Sequence, residues 1–242
     1  MRLLKICALP LALALALGGC VMPAPGPVPS PVVAPVTIVP TQPPRAAAET
    51  FLSVVARVEP VAESYCRSRR VARNCDFRIV VDDRPGQPPN AFQTLDRTGR
   101  PVIGFTLALI ADARNADELA FVLGHEAAHH IAGHIPKRQD QAMSGAILAG
   151  VLAQASGLSP DEIRAAQNIG AEVAARSYSR EFELEADALG AEIALVAGYD
   201  PVRGSGFFDR LPDPGDKFLG SHPPNAQRKA QVAATVRRLR GY

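Results

Sequence analysis

Apolar positions change their period along this chain, and each change marks an element. Residues 6–17 are an almost unbroken apolar run behind the charged start Met1-Arg2-Leu3-Leu4-Lys5. Residues 22–45 have no period: nine prolines stand between Pro23 and Pro44, which predicts an extended, polyproline-like spacer. Residues 46–73 read as a helix, with Phe51, Val54, Val55, Val58, Val61 and Ala62 on one apolar face and Pro60 as a kink or split. Strands follow at 77–81, 90–95 and 101–105, separated by turns at 84–89 and 96–99, and together they predict a small antiparallel sheet. The helical period returns at Asn115, a cap with Glu118 three residues on, and runs through Leu119, Val122 and Leu123 to about Gly133, with Pro136 just beyond. Residues 142–158 are apolar but short and interrupted by Gln154, which predicts a small-residue helix packed on the core, not a membrane span. An acidic helix opens at 179–187. The expected fold class is α+β, mainly α-helical.

Composition narrows the setting. With 242 residues, 47% of them hydrophobic, and a net charge of +2, the chain can bury one domain, expected over 46–242. So balanced a charge predicts no nucleic-acid partner. The N-terminal run ends in Leu17-Gly18-Gly19-Cys20 and reads as a bacterial export signal. An ordinary cleaved signal or a short anchor is the alternative; the charged start, short core and terminal Gly-Gly-Cys favour a lipoprotein. Those four residues resemble a lipobox, which implies that 1–19 are removed, Cys20 is lipidated and 20–45 tether the domain to the membrane. Val21 stands where an inner-membrane retention signal would carry Asp, so the expected address is the outer membrane, facing the periplasm. Cys66 and Cys75 then remain as an even pair in an oxidising compartment and are expected to form a disulfide. The Arg-rich stretches 67–73 and 237–240 read as solvated faces near anionic lipid.

The histidines carry the chemistry. Four of the five fall in His125-Glu126-Ala127-Ala128-His129-His130 and His134; the fifth is His222, in Ser221-His222-Pro223-Pro224. On a helix, His125 and His129 project from one face and can share a metal ion, with Glu126 aimed at the water the metal activates. A catalytic zinc needs a third protein ligand and an open position. The acidic helix offers two pairs, Glu183 with Asp187 on one face and Glu181 with Glu185 on another, and spacing does not choose between them. His130 and His134 fall off the metal face and are expected to offset the helix dipole.

Three ordered strings, HEAAHH-x-x-x-H, S-R-x-x-E-x-E-A-D and S-H-P-P-N-x-x-R, together resemble the zinc endopeptidase family of the CAAX prenyl protease. That family includes the bacterial heat-shock membrane protease and the mitochondrial overlapping-activity protease. The likeness covers roughly residues 46–230 and implies a gluzincin-like metalloprotease domain holding one Zn2+, with the small sheet beside the metal helix. It makes Glu183 the third ligand beside His125 and His129, and Asp187, with Arg180 nearby, a support for the ligands. It makes Glu126 the general base and Asn90, Ala91 and Phe92 the strand that pairs with substrate. His222 is left with two roles, oxyanion donor or a cap on the zinc in a latent state, beside the plain reading of a loop histidine before a Pro-Pro turn. With no spans flanking the core, the chain resembles the compact outer-membrane lipoprotein members of that family. The expected partners are protein or peptide substrates, the membrane through the N-terminal lipid, and outer-membrane assembly machinery. A second reading, from another class, is a zinc-containing assembly factor or chaperone with suppressed proteolysis.

Overall fold

The spaced apolar face of the first helix becomes one wall of the core. The computed structural model describes residues 40–177, 179–213 and 223–241; Cys20 and His222 lie outside them. Helix α1 (Pro44–Arg69) buries Ala47, Phe51, Val54, Val58, Ala62 and Cys66 in steps of three or four. It runs unbroken through Pro60, because Pro60 and Ala56, whose carbonyl the proline leaves unbonded, are both exposed and water can take that hydrogen bond. Arg70, in the left-handed region at φ 56°, ends the helix and donates its N–H to the Cys66 carbonyl. A disulfide between Cys66 and Cys75 closes the following loop, with a Cα–Cα distance of 5.6 Å. Just before α1, Thr41 is already held to the domain through the carbonyls of Ala111 and Ala113.

Three strands follow: β1 (Arg78–Asp82), β2 (Ala91–Leu95) and β3 (Pro101–Thr106), in the order β1-β3-β2. The expectation of an antiparallel sheet is corrected: β2 pairs antiparallel with β3, but β1 pairs parallel with it. The physical reason is burial together with the short 83–90 connection, which begins and ends beside the Thr106 end of β3 and so makes β1 run opposite to β2 and parallel to β3. Strand β3 carries Ile103 and Phe105, both wholly buried, so it takes the centre, and β1 fills its far side. The β2–β3 hairpin turns on Asp96, whose side chain accepts from the N–H groups of Thr98 and Arg100, and on Gly99 at φ 81°.

After the short α2 (Leu107–Asp112), helix α3 (Ala116–Ile131) crosses the core. Asn115 caps it by accepting from Glu118 N–H at 3.1 Å, while Glu118 is itself held by Arg210 at 2.9 and 2.7 Å. Gly133, at φ 69°, ends that direction, and α4 (His134–Ala155) begins at His134. Helix α4 packs against α5 (Pro160–Ser177), closely enough at Gly145 and Gly170 that neither has room for a Cβ. This corrects the expectation that 142–158 packs on the core. Met143, Ile147, Leu148, Val151 and Leu152 stay exposed, because the small residues face α5 and the large ones face away. No described helix is long and apolar enough to cross a membrane.

Helix α6 (Ser179–Val196) lies on α3, and α7 (Pro201–Gly204), a 3-10 turn (Ser205–Arg210) and α8 (Asn225–Arg240) close the core. Where α3 and α6 cross, Gly124 faces Gly190, and their backbones touch.

Candidate metal centre

That crossing sets the site. Helix α3 presents His125 and His129 one turn apart, and α6 brings Glu183 opposite them. His125 Nε2 lies 3.1 Å from His129 Nε2 and 3.6 Å from Glu183 Oε2, and His129 Nε2 lies 3.4 Å from Glu183 Oε1. A zinc ion with bonds of about 2.0–2.1 Å in tetrahedral geometry needs donors roughly 3.3 Å apart. The three side chains meet that requirement, and two imidazoles with one carboxylate suit zinc chemically.

The α3–α6 contact decides between the two acidic pairs. Glu183 and Asp187 face α3, whereas Glu181 is exposed. Asp187, wholly buried, accepts from His125 Nδ1 at 3.0 Å. That bond places the proton on Nδ1 and leaves the Nε2 lone pair facing the other donors. The same carboxylate receives the Arg228 guanidinium in two bonds, from Nε at 2.7 Å and Nη2 at 2.6 Å, and Arg228 also reaches Glu183 at 3.2 Å. Arg228 lies over the Phe208 ring, 4.1 Å from its centroid. The guanidinium on Asp187 is therefore that of Arg228. Arg180 stands seven residues before Asp187, about 10 Å along the helix axis. The Arg of the S-H-P-P-N-x-x-R string was its only sequence signal, and nothing local ties it to an Asp on another helix.

His134 also corrects an expectation. It opens α4 instead of closing α3, and its Nδ1 meets His129 Nδ1 at 2.9 Å while its Nε2 meets Glu185 Oε2 at 3.1 Å. Its ring stacks on Phe182, with centroids 4.5 Å apart. His134 thus does for His129 what Asp187 does for His125. His130 points away, with Nε2 on the Asn74 carbonyl at 2.6 Å.

Electrostatics follow burial. Desolvation, with the neighbouring His125, pushes His129 down to about 3, so its ring is neutral, the form a metal ligand needs. For His125, burial is the largest influence and opposes the cation, but the hydrogen bond to Asp187 together with the negative charges of Asp187 and Glu183 outweighs it, and the pKa rises. Burial pushes the Glu126 carboxyl up to about 6. Glu126 faces a cleft of about 490 Å3 that it lines with His125, His129, Glu183 and Arg228.

Asn90 and Ala91 line the same cleft. In the hairpin register Asn90 accepts from Thr106 N–H and Asp96 donates to the Arg100 carbonyl, so even-numbered residues of β2 bond inward to β3. Ala91, Gln93 and Leu95 therefore direct their main-chain groups to the open edge. Of the three residues expected to pair with substrate, only Ala91 lies in that register; Phe92 bonds β3 and lays its ring over Gly104.

A sequence profile of Peptidase family M48 matches residues 50–236. The chain is similar to the mitochondrial metalloendopeptidase OMA1 of Arabidopsis thaliana, 30% identical over 136 residues, which is 54% of this chain and 27% of that protein. It is also similar to a putative beta-barrel assembly-enhancing protease of Vibrio cholerae, 29% identical over 126 residues, or 48% of this chain and 25% of that one. The matched stretch thus spans only about a quarter of each relative's length.

Proposed function

The chain belongs to peptidase family M48, whose members are zinc-dependent metallopeptidases, and on that premise we propose that it is a zinc endopeptidase of the bacterial envelope. The observation that carries this reading is the convergence of His125, His129 and Glu183 on one point, with Glu126 beside them at an open cleft. In this reading those three residues hold one zinc ion per chain. Bound there, zinc supplies Lewis-acid chemistry, polarising water and the scissile carbonyl. Glu126 takes the proton of the attacking water and returns it to the leaving amine, work that suits a carboxyl whose pKa burial has brought to about 6. Asp187 and Arg228 hold His125 in the required tautomer, and His134 with Glu185 does the same for His129. Substrate backbone adds to the open edge of β2 at Ala91, Gln93 and Leu95.

His222 is proposed to cap the metal in a resting state. His222→Ala then raises proteolysis, whereas a fall of about a hundredfold assigns it to the oxyanion instead. Lipidation at Cys20, removal of 1–19 and a tether over 20–45 complete the proposal. They place the domain over 46–242 at the periplasmic face of the outer membrane, acting on envelope proteins in quality control. The relative named for beta-barrel assembly supports assembly machinery as a partner.

The test is zinc content together with casein cleavage. Wild type and Glu126→Gln are expected to hold one zinc each, with cleavage by Glu126→Gln lowered about 10²-fold or more. A chain without zinc, or a Glu126→Gln variant as active as wild type, overturns the reading. A zinc-loaded wild type that cleaves nothing, even as His222→Ala, favours the assembly factor with suppressed proteolysis.

A further inference from the structure

A second cavity, of about 590 Å3, opens at the Leu95 end of β2. Its walls come from three separate parts of the chain. Val71 and Asn74 belong to the loop closed by the Cys66–Cys75 disulfide, Ile135 and Pro136 to the start of α4, and Gln93 and Leu95 to β2. The walls are fixed in place. The disulfide ties the loop at both ends, His130 holds the Asn74 carbonyl at 2.6 Å, and Val71 abuts Gly133. Large apolar side chains nevertheless stay uncovered on facing walls, with Val71 56% and Leu95 41% exposed. The lining carries charges of both signs, Arg73 and Lys137 against Asp140, with one positive charge in excess.

A pocket of about 210 Å3 links this cavity to the metal cleft: it shares Gln93 and His129 with the cavity, and Glu126, His129 and Glu183 with the cleft. Gln93 and Leu95 project from one face of β2, the face that looks into these spaces. An extended peptide on the edge of β2 sends alternate side chains to that same face, about 6.6–6.8 Å apart. A side chain seated beside the metal therefore has its next same-face neighbour two residues along, at the cavity. Gln93 Oε1 is buried without a hydrogen-bond partner among the described residues, and an arriving amide N–H supplies one.

We propose that this cavity is a specificity pocket for the peptide substrate, receiving a large aliphatic or aromatic side chain two residues along from the one seated beside the metal. The proposal rests on the endopeptidase reading above. It makes the loop closed by the disulfide a determinant of which sequences are cut.

The test uses the full chain loaded with zinc and a peptide library read by mass spectrometry. At one position within three residues of the cleaved bond, Leu or Phe is expected over Asp or Ser by about tenfold to a hundredfold in kcat/KM. Val71→Glu and Leu95→Glu, which place a carboxylate in the wall, should each turn that preference toward Lys. Zinc content should not change in either, and selectivity at other positions should not change in Val71→Glu, which lies off the β2 edge. A second arm measures binding of the Leu and Asp peptides to zinc-loaded Glu126→Gln by fluorescence anisotropy. Selective binding without cleavage by the wild type supports the pocket and sinks the endopeptidase reading. Equal binding of the two peptides, or a wild-type profile retained in both wall variants, overturns the pocket.

Discussion

Adding one methyl group at Gly190 should cost this protein its metal before it costs it its fold. A Cβ at Gly190 would stand 2.6 Å from the His125 backbone nitrogen and 2.8 Å from the His125 Cα, where ordinary contact begins at 3.4 Å. Both partners are helix backbone, so no side chain can swing aside, and α6 must move from α3 by roughly 1 Å. Overpacking of that size costs about 1–3 kcal/mol, but Ala in place of Gly inside a helix returns about 1 kcal/mol. The net loss of stability is therefore about 0–2 kcal/mol, and the domain still folds. The metal site has less tolerance. Glu183 rides on α6, 3.6 and 3.4 Å from the two histidines on α3, already at the spacing one zinc ion needs. Separation by another ångström leaves the carboxylate short of an ion held by both imidazoles. Zinc affinity of Gly190→Ala, measured by competition with a chromophoric chelator, should fall by tenfold or more, about 1.4 kcal/mol per tenfold. Gly206→Ala is the control, because a Cβ there meets nothing within 4 Å. If Gly190→Ala binds zinc within twofold of wild type, the helix crossing does not set the site.

Four further outcomes follow from the same geometry. Arg228→Ala strands the wholly buried Asp187 and should cost about 3–5 kcal/mol, a calorimetric drop in Tm of roughly 6–20 °C, with partial recovery in Arg228→Lys; an unchanged Tm would refute the pairing. Glu183→Ala should empty the site by elemental analysis while Glu181→Ala keeps its zinc, and the reverse result would reassign the ligand. His134→Ala removes the partner of His129 Nδ1 and should weaken zinc about tenfold to a hundredfold in the same chelator competition, with a smaller effect for Glu185→Gln; equal affinities would show that His134 only packs. Cys66→Ser with Cys75→Ser should lower the urea stability by about 2–3 kcal/mol, as expected for so short a loop, and leave zinc binding intact.

Some of this protein was legible in its sequence because the information is local. Four-residue spacing puts His125 and His129 on one face of any helix, and Asn115 with Glu118 marks where that helix begins. The spaced apolar positions from Phe51 to Ala62 show most of the buried stripe of α1 in the same way, although Val55 and Val61, read with them, are only partly buried. Each of these is a property of one element, fixed by its own period.

The remainder depends on which elements meet, and no period records that. Period two reports that residues 78–82 are extended, but the central place of β3, with the 83–90 connection held at one end of it, decides that β1 runs parallel to it. The spacing of the acidic helix allows two pairs of carboxylates, and the Gly124–Gly190 crossing turns Glu183 and Asp187 inward. Small residues in α4 announce close packing without saying that α5, not the core, is what they pack on. Arg228 and Asp187 are 41 residues apart, and His134 and Glu185 51. Each pair exists only because separate helices were brought together by the apolar faces they bury. The sequence by itself determined the chemical groups and the helix that carries His125 and His129. Spacing could not choose Glu183 over Glu181, a choice that the likeness of the motifs implied. Packing turned Glu183 toward the histidines, and packing alone brought in Arg228 and His134 and set the register of the strand edge, because a periodic pattern specifies a face and not what that face will touch.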